Sequence, residues 1–274
     1  MKNWNRRKSM LLWLIFSFSF LVIIAAAGTL SSDAARATDF SRKNLLPCLS
    51  YPFGTDWMGR DMFARTLKGL SLSIIIGTLA AGVSAVIALI LGICAATLGK
   101  RTDSVITWII DLIMGIPHLL LLILISVAAG RGLKGVVIGV ALTHWTSLAR
   151  LIRAEVMQLK ESPYVKIAGK LGKSKWYVAV HHILPHLVPQ FIVGLVLMFP
   201  HAILHEASVT FLGFGLTSEQ PAIGIILSES MKYLVLGKWW LALFPGMALV
   251  FVVVLFYLLG ENLRKLIDPN SVHE

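Results

Sequence analysis

The sequence predicts an all-α integral membrane protein with six transmembrane helices. Three observations carry this prediction. Hydrophobic residues make up 57% of the 274 residues, and charged residues make up only 14%, against roughly 25% in soluble domains. The charges also cluster at the ends of long apolar runs, as membrane topology requires. That distribution argues against nucleic acid as the partner, although the net charge is +11.

The first predicted span is the uncharged run of residues 10–27, which follows four basic residues. The sequence Ala25-Ala26-Ala27 resembles a signal-peptide cleavage site, so a cleaved leader is the alternative. This run has 18 residues, more than the roughly 7–15 of a signal peptide and within the roughly 17–25 that span a bilayer. We therefore predict a retained anchor, with residues 1–28 forming a cytosolic N-terminus and the first span.

Five further apolar runs supply the other predicted spans. The fourth span needs the amphipathic residues 151–159 to reach sufficient length. Residues 29–70 are then an extracytoplasmic segment, residues 71–262 a five-helix core, and residues 263–274 a cytosolic tail. Lys and Arg number 15 in the segments predicted to be cytosolic and 10 in those predicted to be outside, which is the expected bias. The five runs are residues 71–98, 104–130, 135–149, 187–204 and 239–260.

A basic segment, residues 150–190, separates the fourth and fifth spans. Ser162 and Pro163 have the residue types of a helix N-cap and first helical position. Gly172 is placed to stop that helix, with a left-handed backbone. Apolar side chains at helical spacing give the helix one face suited to a partner protein. A second short helix is predicted from Ser174 to Pro185. The apolar face consists of Tyr164, Ile167, Ala168 and Leu171.

Residues 164–172 and 182–185 resemble the cytoplasmic "EAA" loop of binding-protein-dependent ABC importer permeases. Ala168, Gly172, Leu184 and Pro185 fall on that family pattern. The fit is partial, because the Glu, the first Ala and the Ile of the pattern are replaced by Lys166, Ile167 and His182.

Three other blocks resemble the dipeptide, oligopeptide and nickel permease family. Residues 51–72 are similar to its "PxGTDxxGRDxxSRxxxGxRxSL" signature, with Ala64 in place of Ser and Leu70 in place of Arg. Residues 206–215 are similar to "EAsLsFLGxG". Residues 239–269 are similar to the C-terminal "WLALFPG…LDP" pattern.

This resemblance implies a type I ABC importer permease fold in the cytoplasmic membrane, with both termini cytosolic. It implies four kinds of partner: a second permease subunit in a heterodimer, two ATP-binding subunits, an extracytoplasmic solute-binding protein and membrane lipid. No cofactor or ATPase site of the chain's own is expected. The residues expected to couple it to the ATPase are Tyr164, Val165, Ile167, Ala168, Leu171, Gly172, Leu184 and Pro185.

For the solute, the stretch of residues 217–227 resembles nickel-type members more than peptide-type members. Nickel, or a metal–chelator complex, is therefore the expected solute, and a dipeptide or oligopeptide is the alternative. Asp111 is a pathway candidate because intramembrane carboxylates are often functional, although its place near a helix end also suits an interfacial contact. The other pathway candidates are His201, His205 and Glu206. No resident metal site is predicted, since packed histidines are commoner than ligands.

Three other classes of protein are weaker alternatives: a nucleotide-binding protein, an intramembrane hydrolase and an ATP-independent carrier. Gly172-Lys173-Ser174 resembles the end of a phosphate-binding loop, but Ile167 stands where that motif requires glycine. An intramembrane hydrolase would use His182/His186 or His201/His205, and neither pair encloses the Glu of a metalloprotease helix. An ATP-independent carrier is the remaining alternative.

Overall fold

The computed structural model describes residues 6–31, 35–217 and 219–267, and these are almost entirely helical. Helix α1 is Arg6–Leu30 and α2 is Met62–Thr97. The carboxylate of Asp61 caps α2 by accepting a hydrogen bond of 2.8 Å from the Phe63 amide, which satisfies one of the free N–H groups of the first turn. Between α1 and α2 the chain forms a compact loop that contains a short 3₁₀ helix, Phe40–Arg42.

The third apolar run is broken rather than continuous. It forms α3, Lys100–Gly115, and α4, His118–Ala128, which are bent from each other by 99°. Ile116 precedes Pro117 and is extended, with φ −91° and ψ 137°, because a proline ring disfavours helical backbone in the residue before it. The sequence analysis predicts a single span over residues 104–130 and does not predict this break.

Helix α5 is Gly132–Glu161, so the amphipathic residues 151–159 do continue the short fourth run. Five helices of the described residues are long and apolar enough to cross a membrane, or up to six if the bent pair α3–α4 is one span. The six predicted spans correspond to the upper of these two counts.

The basic segment contains helix α6, Pro163–Lys170, and a one-turn helix α7, Lys175–Val178. The expected end of a second helix at Pro185 is wrong. Residues 179–183 form a π-helical turn that leads directly into α8, Leu184–Phe211. Pro185 fits because it lies in the first turn of α8, where a backbone N–H has no helical partner.

The chain ends with α9, Ile223–Leu234, and α10, Trp240–Ile267. Helix α9 is an addition to the sequence prediction, which treated this region as a connection. The last apolar run was expected to end at Gly260, but its helix continues for two more turns. Asp268 and Pro269 of the C-terminal pattern, like Ser218, lie outside the described residues.

Helices α2, α5 and α8 pack at the centre of the bundle through small residues. A Cβ atom on Gly92 would lie 2.8 Å from the carbonyl oxygen of Ala149 in α5, and one on Gly77 would lie 2.5 Å from Ile203 in α8. Gly82 meets nothing within 4 Å. The apolar run of residues 71–98 therefore contains two glycines that permit close helix approach and a third, Gly82, that is not at a helix contact.

Candidate functional site: a histidine-lined cavity

A cavity of about 590 Å³ lies between the break of α3 and α4 and the helices α5 and α8. Four histidines line it. His118 begins α4, His144 lies near the middle of α5, and His201 and His205 lie one turn apart on α8. The wall is otherwise built from backbone at the break, from small hydroxyl side chains of α5 and from methionine. The α3–α4 break thus brings polar side chains to a cavity that is partly open at the surface of the bundle, and irregular backbone is typical where a membrane helix lines a cavity.

Three of the four imidazoles are in mutual contact. The ring centroids of His118 and His205 are 4.4 Å apart, those of His118 and His144 are 4.7 Å apart, and those of His144 and His205 are 5.0 Å apart. A hydrogen bond to the preceding helical turn orients the ring of His144, because its Nδ1 lies 3.1 Å from the carbonyl oxygen of Val140. Each ring comes from a different helix, so the cluster exists only in the folded bundle.

Of the four pathway candidates, the structure brings His201 and His205 into this cavity. Glu206 is fully buried elsewhere in the bundle, where the Thr210 hydroxyl donates a 3.0 Å hydrogen bond to its Oε1. Asp111 does not line the cavity and instead forms an ion pair with Arg150 on an exposed part of α3 and α5. Asp111 thus bonds a neighbouring helix, and its part in the pathway stays a prediction.

Sequence reasoning missed His118 and His144 as site residues. Both were visible as polar side chains inside apolar runs, which is the general signal for intramembrane function. The residues next to them in the sequence do not indicate that they face His205, because each of the three histidines lies on a separate helix.

On the basic segment, the structure divides the apolar face predicted for α6. Val165 and Ala168 are buried in a small cluster with Val178. The exposed apolar side chains are Tyr164, Ile167 and Leu171. Leu184 and Pro185, expected on the same surface, are exposed at the start of α8.

The predicted helix stop is present at Gly172, whose φ is +76°. Ser162 is at the N-cap position of α6 but makes no capping bond. Its hydroxyl donates to the carbonyl of Leu159 instead, so this serine closes α5 rather than opening α6.

The loop between α1 and α2 is anchored by charged side chains of the 51–72 block. Asp56, which is fully buried, accepts hydrogen bonds from the amides of Met58 and Arg60 at 2.8 and 3.0 Å. Arg65 Nη1 lies 2.6 Å from Asp56, and its Nη2 lies 3.0 Å from Glu229 on α9. Two turns flank Trp57, with positive φ at Gly54 and Gly59.

Comparison with known proteins agrees with this architecture. Residues 88–272 match the family model described as binding-protein-dependent transport system inner membrane component. The chain is 32% identical over 269 residues to the dipeptide transport system permease protein DppC of Bacillus subtilis, covering 97% of this chain and 84% of that protein. It is 34% identical over 236 residues to the oligopeptide transport system permease protein OppC of the same organism, covering 84% and 77%.

The fold is shared with solved transporters. An inward-facing structure of the MetNI methionine ABC transporter superposes with a TM-score of 0.63 at 15% identity, covering 76% of this chain and 98% of that chain. An amino acid ABC transporter structure gives 0.60 at 17% identity, covering 75% and 95%. The expected type I permease fold is therefore confirmed.

Proposed function

Because the chain belongs to the family of binding-protein-dependent transport system inner membrane components, we propose that it is the permease subunit of an ABC importer for dipeptides or oligopeptides. The proposal rests on the names of the chain's relatives. Proteins that are 32–34% identical over 84–97% of this chain are named for dipeptide or oligopeptide transport. Residues 217–227 favour nickel as the solute, whereas the names of these relatives support a peptide.

The cavity supports a small solute. Its volume of about 590 Å³ falls within the roughly 300–1,000 Å³ of pockets that hold small molecules. It is lined by four imidazoles and by hydroxyl groups, which offer a short peptide both hydrogen-bond donors and acceptors. Nickel or a metal–chelator complex is the second candidate, and the contact among His118, His144 and His205 is the observation that favours it.

We place the termini and residues 150–190 in the cytosol and residues 29–70 outside. The distribution of Lys and Arg supports this orientation. A second permease subunit, paired with this one as a heterodimer, completes the pathway. Two ATP-binding subunits supply the energy, and an extracytoplasmic solute-binding protein delivers the solute. The chain itself is a conduit and not an enzyme.

Coupling to ATP passes through α6 in this proposal. The exposed side chains Tyr164, Ile167 and Leu171 form an apolar surface that seats in a groove of the ATP-binding subunit, as amphipathic helices do. Ion pairs tie the adjacent end of α5 to α3, since Arg153 Nη2 lies 2.6 Å from Asp103 Oδ2. Movement of α6 is therefore transmitted to the helices that border the cavity, which gives alternating access.

The test is uptake by the assembled importer in proteoliposomes, measured with a labelled dipeptide and separately with radioactive nickel. We expect dipeptide uptake that requires ATP and the solute-binding protein. ATP-dependent nickel uptake that excess dipeptide does not reduce would favour the second candidate. Solute movement by the permease alone, driven by an ion gradient, would contradict the ABC importer mechanism.

A further inference from the structure

We propose that His118, His144 and His205 form a three-imidazole site for a divalent transition-metal ion inside the cavity. Imidazole nitrogen suits nickel, copper and zinc ions. Such an ion can reach the site alone or within a solute that leaves coordination positions open. The inference rests on the proposed function in one respect, because it takes the cavity as part of the solute's route.

The three rings present their nitrogens to a common point. One ligand nitrogen from each ring can be chosen so that all three lie within 4.8 Å of one another. Metal–imidazole bonds of about 2.0–2.1 Å at tetrahedral angles place the nitrogens roughly 3.4 Å apart. The nitrogens therefore need to approach one another by up to about 1.4 Å for all three to bind one ion.

The orientation of His144 suits a ligand. The contact of its Nδ1 with the Val140 carbonyl, at 3.1 Å, requires the proton on Nδ1 and leaves the lone pair of Nε2 free. Metal-binding histidines usually donate their second ring nitrogen in this way, which fixes the tautomer and the ring direction. The hydroxyl of Thr143 lies 3.1 Å from the same Nδ1 and reinforces the position.

Two of the three rings also have an unpaired nitrogen. The Nε2 atoms of His118 and His144 are buried and have no hydrogen-bond partner within the described part of the chain. Leaving a buried polar atom unpaired is unfavourable, and the contacts among the rings leave these two Nε2 atoms without a hydrogen bond. A metal ion satisfies all three lone pairs at once.

The charge around the cluster favours passage over permanent binding. Among the described residues that line the cavity, none is Asp or Glu, so neutral imidazoles alone would hold the dication. His201 lies one turn from His205 on the same wall, about 6 Å along the helix axis. It provides the next ligand along α8. A conducting site must bind strongly enough to admit an ion and weakly enough to release it.

The experiment uses the assembled importer, purified through a tag that contains no histidine. Bound Ni²⁺ is titrated by equilibrium dialysis, and the ligands of the loaded protein are identified by X-ray absorption spectroscopy. We expect one ion per copy of this chain, with imidazole ligands, and affinity at least about tenfold lower in His144→Gln and in His205→Gln. His181→Gln is the matched control, because His181 is exposed on the basic segment and its loss should leave the affinity unchanged.

A second titration uses Ni²⁺ already held by nitrilotriacetate, which leaves coordination positions free. Binding of Ni²⁺ alone identifies a free ion as the occupant, and binding of the complex only identifies a chelated ion; either result supports the site. Wild-type spectra without imidazole ligands, or equal affinity in the folded cavity variants and the control, would overturn it.

The two proposals fail separately. Loss of the metal site with intact dipeptide uptake would overturn this inference and leave the proposed function standing. Metal binding without any dipeptide uptake would do the reverse. Folding of each variant is checked by gel filtration of the complex. Should a variant misfold, the wild-type spectra still decide the question.

Discussion

The Nη1 atom of Arg65 lies 2.6 Å from the Oδ2 atom of Asp56, and both side chains are almost completely buried. The pair connects the first turn of α2 to the loop between α1 and α2, and Glu229 extends the connection to α9 at 3.0 Å. The charged residues of the 51–72 block therefore hold this loop on the helical bundle.

Replacing Arg65 with Met should destabilise the protein strongly. Asp56 would stay buried with Arg60 as its remaining cationic partner, and breaking a buried pair from one side costs about 3–5 kcal/mol. We expect a fall in Tm of several degrees, measured by fluorescence in detergent. Arg42→Met is the control, because the Arg42–Asp39 pair is half exposed and such pairs contribute roughly 0–1 kcal/mol. Equal Tm changes in the two variants would contradict the anchoring role.

Gly92→Leu should separate α2 from α5, and Gly82→Leu should not. A side chain at position 92 meets the backbone of Ala149, whereas position 82 has open space. Overpacking of this kind typically costs about 1–3 kcal/mol. The measurement is Tm of the purified protein, and a larger loss for Gly82→Leu than for Gly92→Leu would refute the packing described here.

Gly172→Val should impair ATP-driven uptake and binding of the ATP-binding subunits. Nothing lies within 4 Å of a Cβ at this position, so the cause is the backbone, since φ of +76° strains a β-branched residue. Gly172→Asn is the matched control, because asparagine adopts left-handed backbone more readily, and we expect it to retain most activity. Normal uptake by the valine variant would count against the role of this helix end.

Ile167→Glu should weaken capture of the ATP-binding subunits at least tenfold without changing Tm. Ile167 is 56% exposed, so a charge there disturbs a docking surface and not the core. Co-purification with the ATP-binding subunits measures capture. Ala168→Glu should instead lower Tm, since Ala168 is buried with Val165. Leu46→Glu, at an exposed position of the loop between α1 and α2, is the control and should co-purify normally. Unchanged capture by Ile167→Glu would place the ATPase contact elsewhere.

Two kinds of local feature were predicted correctly. The apolar runs produced the long helices because lipid requires backbone polar groups to be satisfied within a segment. The left-handed stop at Gly172 follows from the conformational freedom of glycine. The broken third span was missed although Pro117 was visible, because a proline in a membrane helix produces anything from a slight kink to a full break, depending on what packs beside it.

By itself the sequence determined the membrane class, the long helices and the resemblance to importer permeases, since each depends on residues close together in the chain.

Only the tertiary structure decided which polar side chains share the cavity. The cavity brings together His118, His144 and His205. Asp111 instead pairs with Arg150, and Glu206 accepts a hydrogen bond from Thr210 outside the cavity. The physical reason is that the rotation of each helix about its own axis is set by close packing at contacts such as Gly92 with Ala149, and hydropathy carries no record of those contacts.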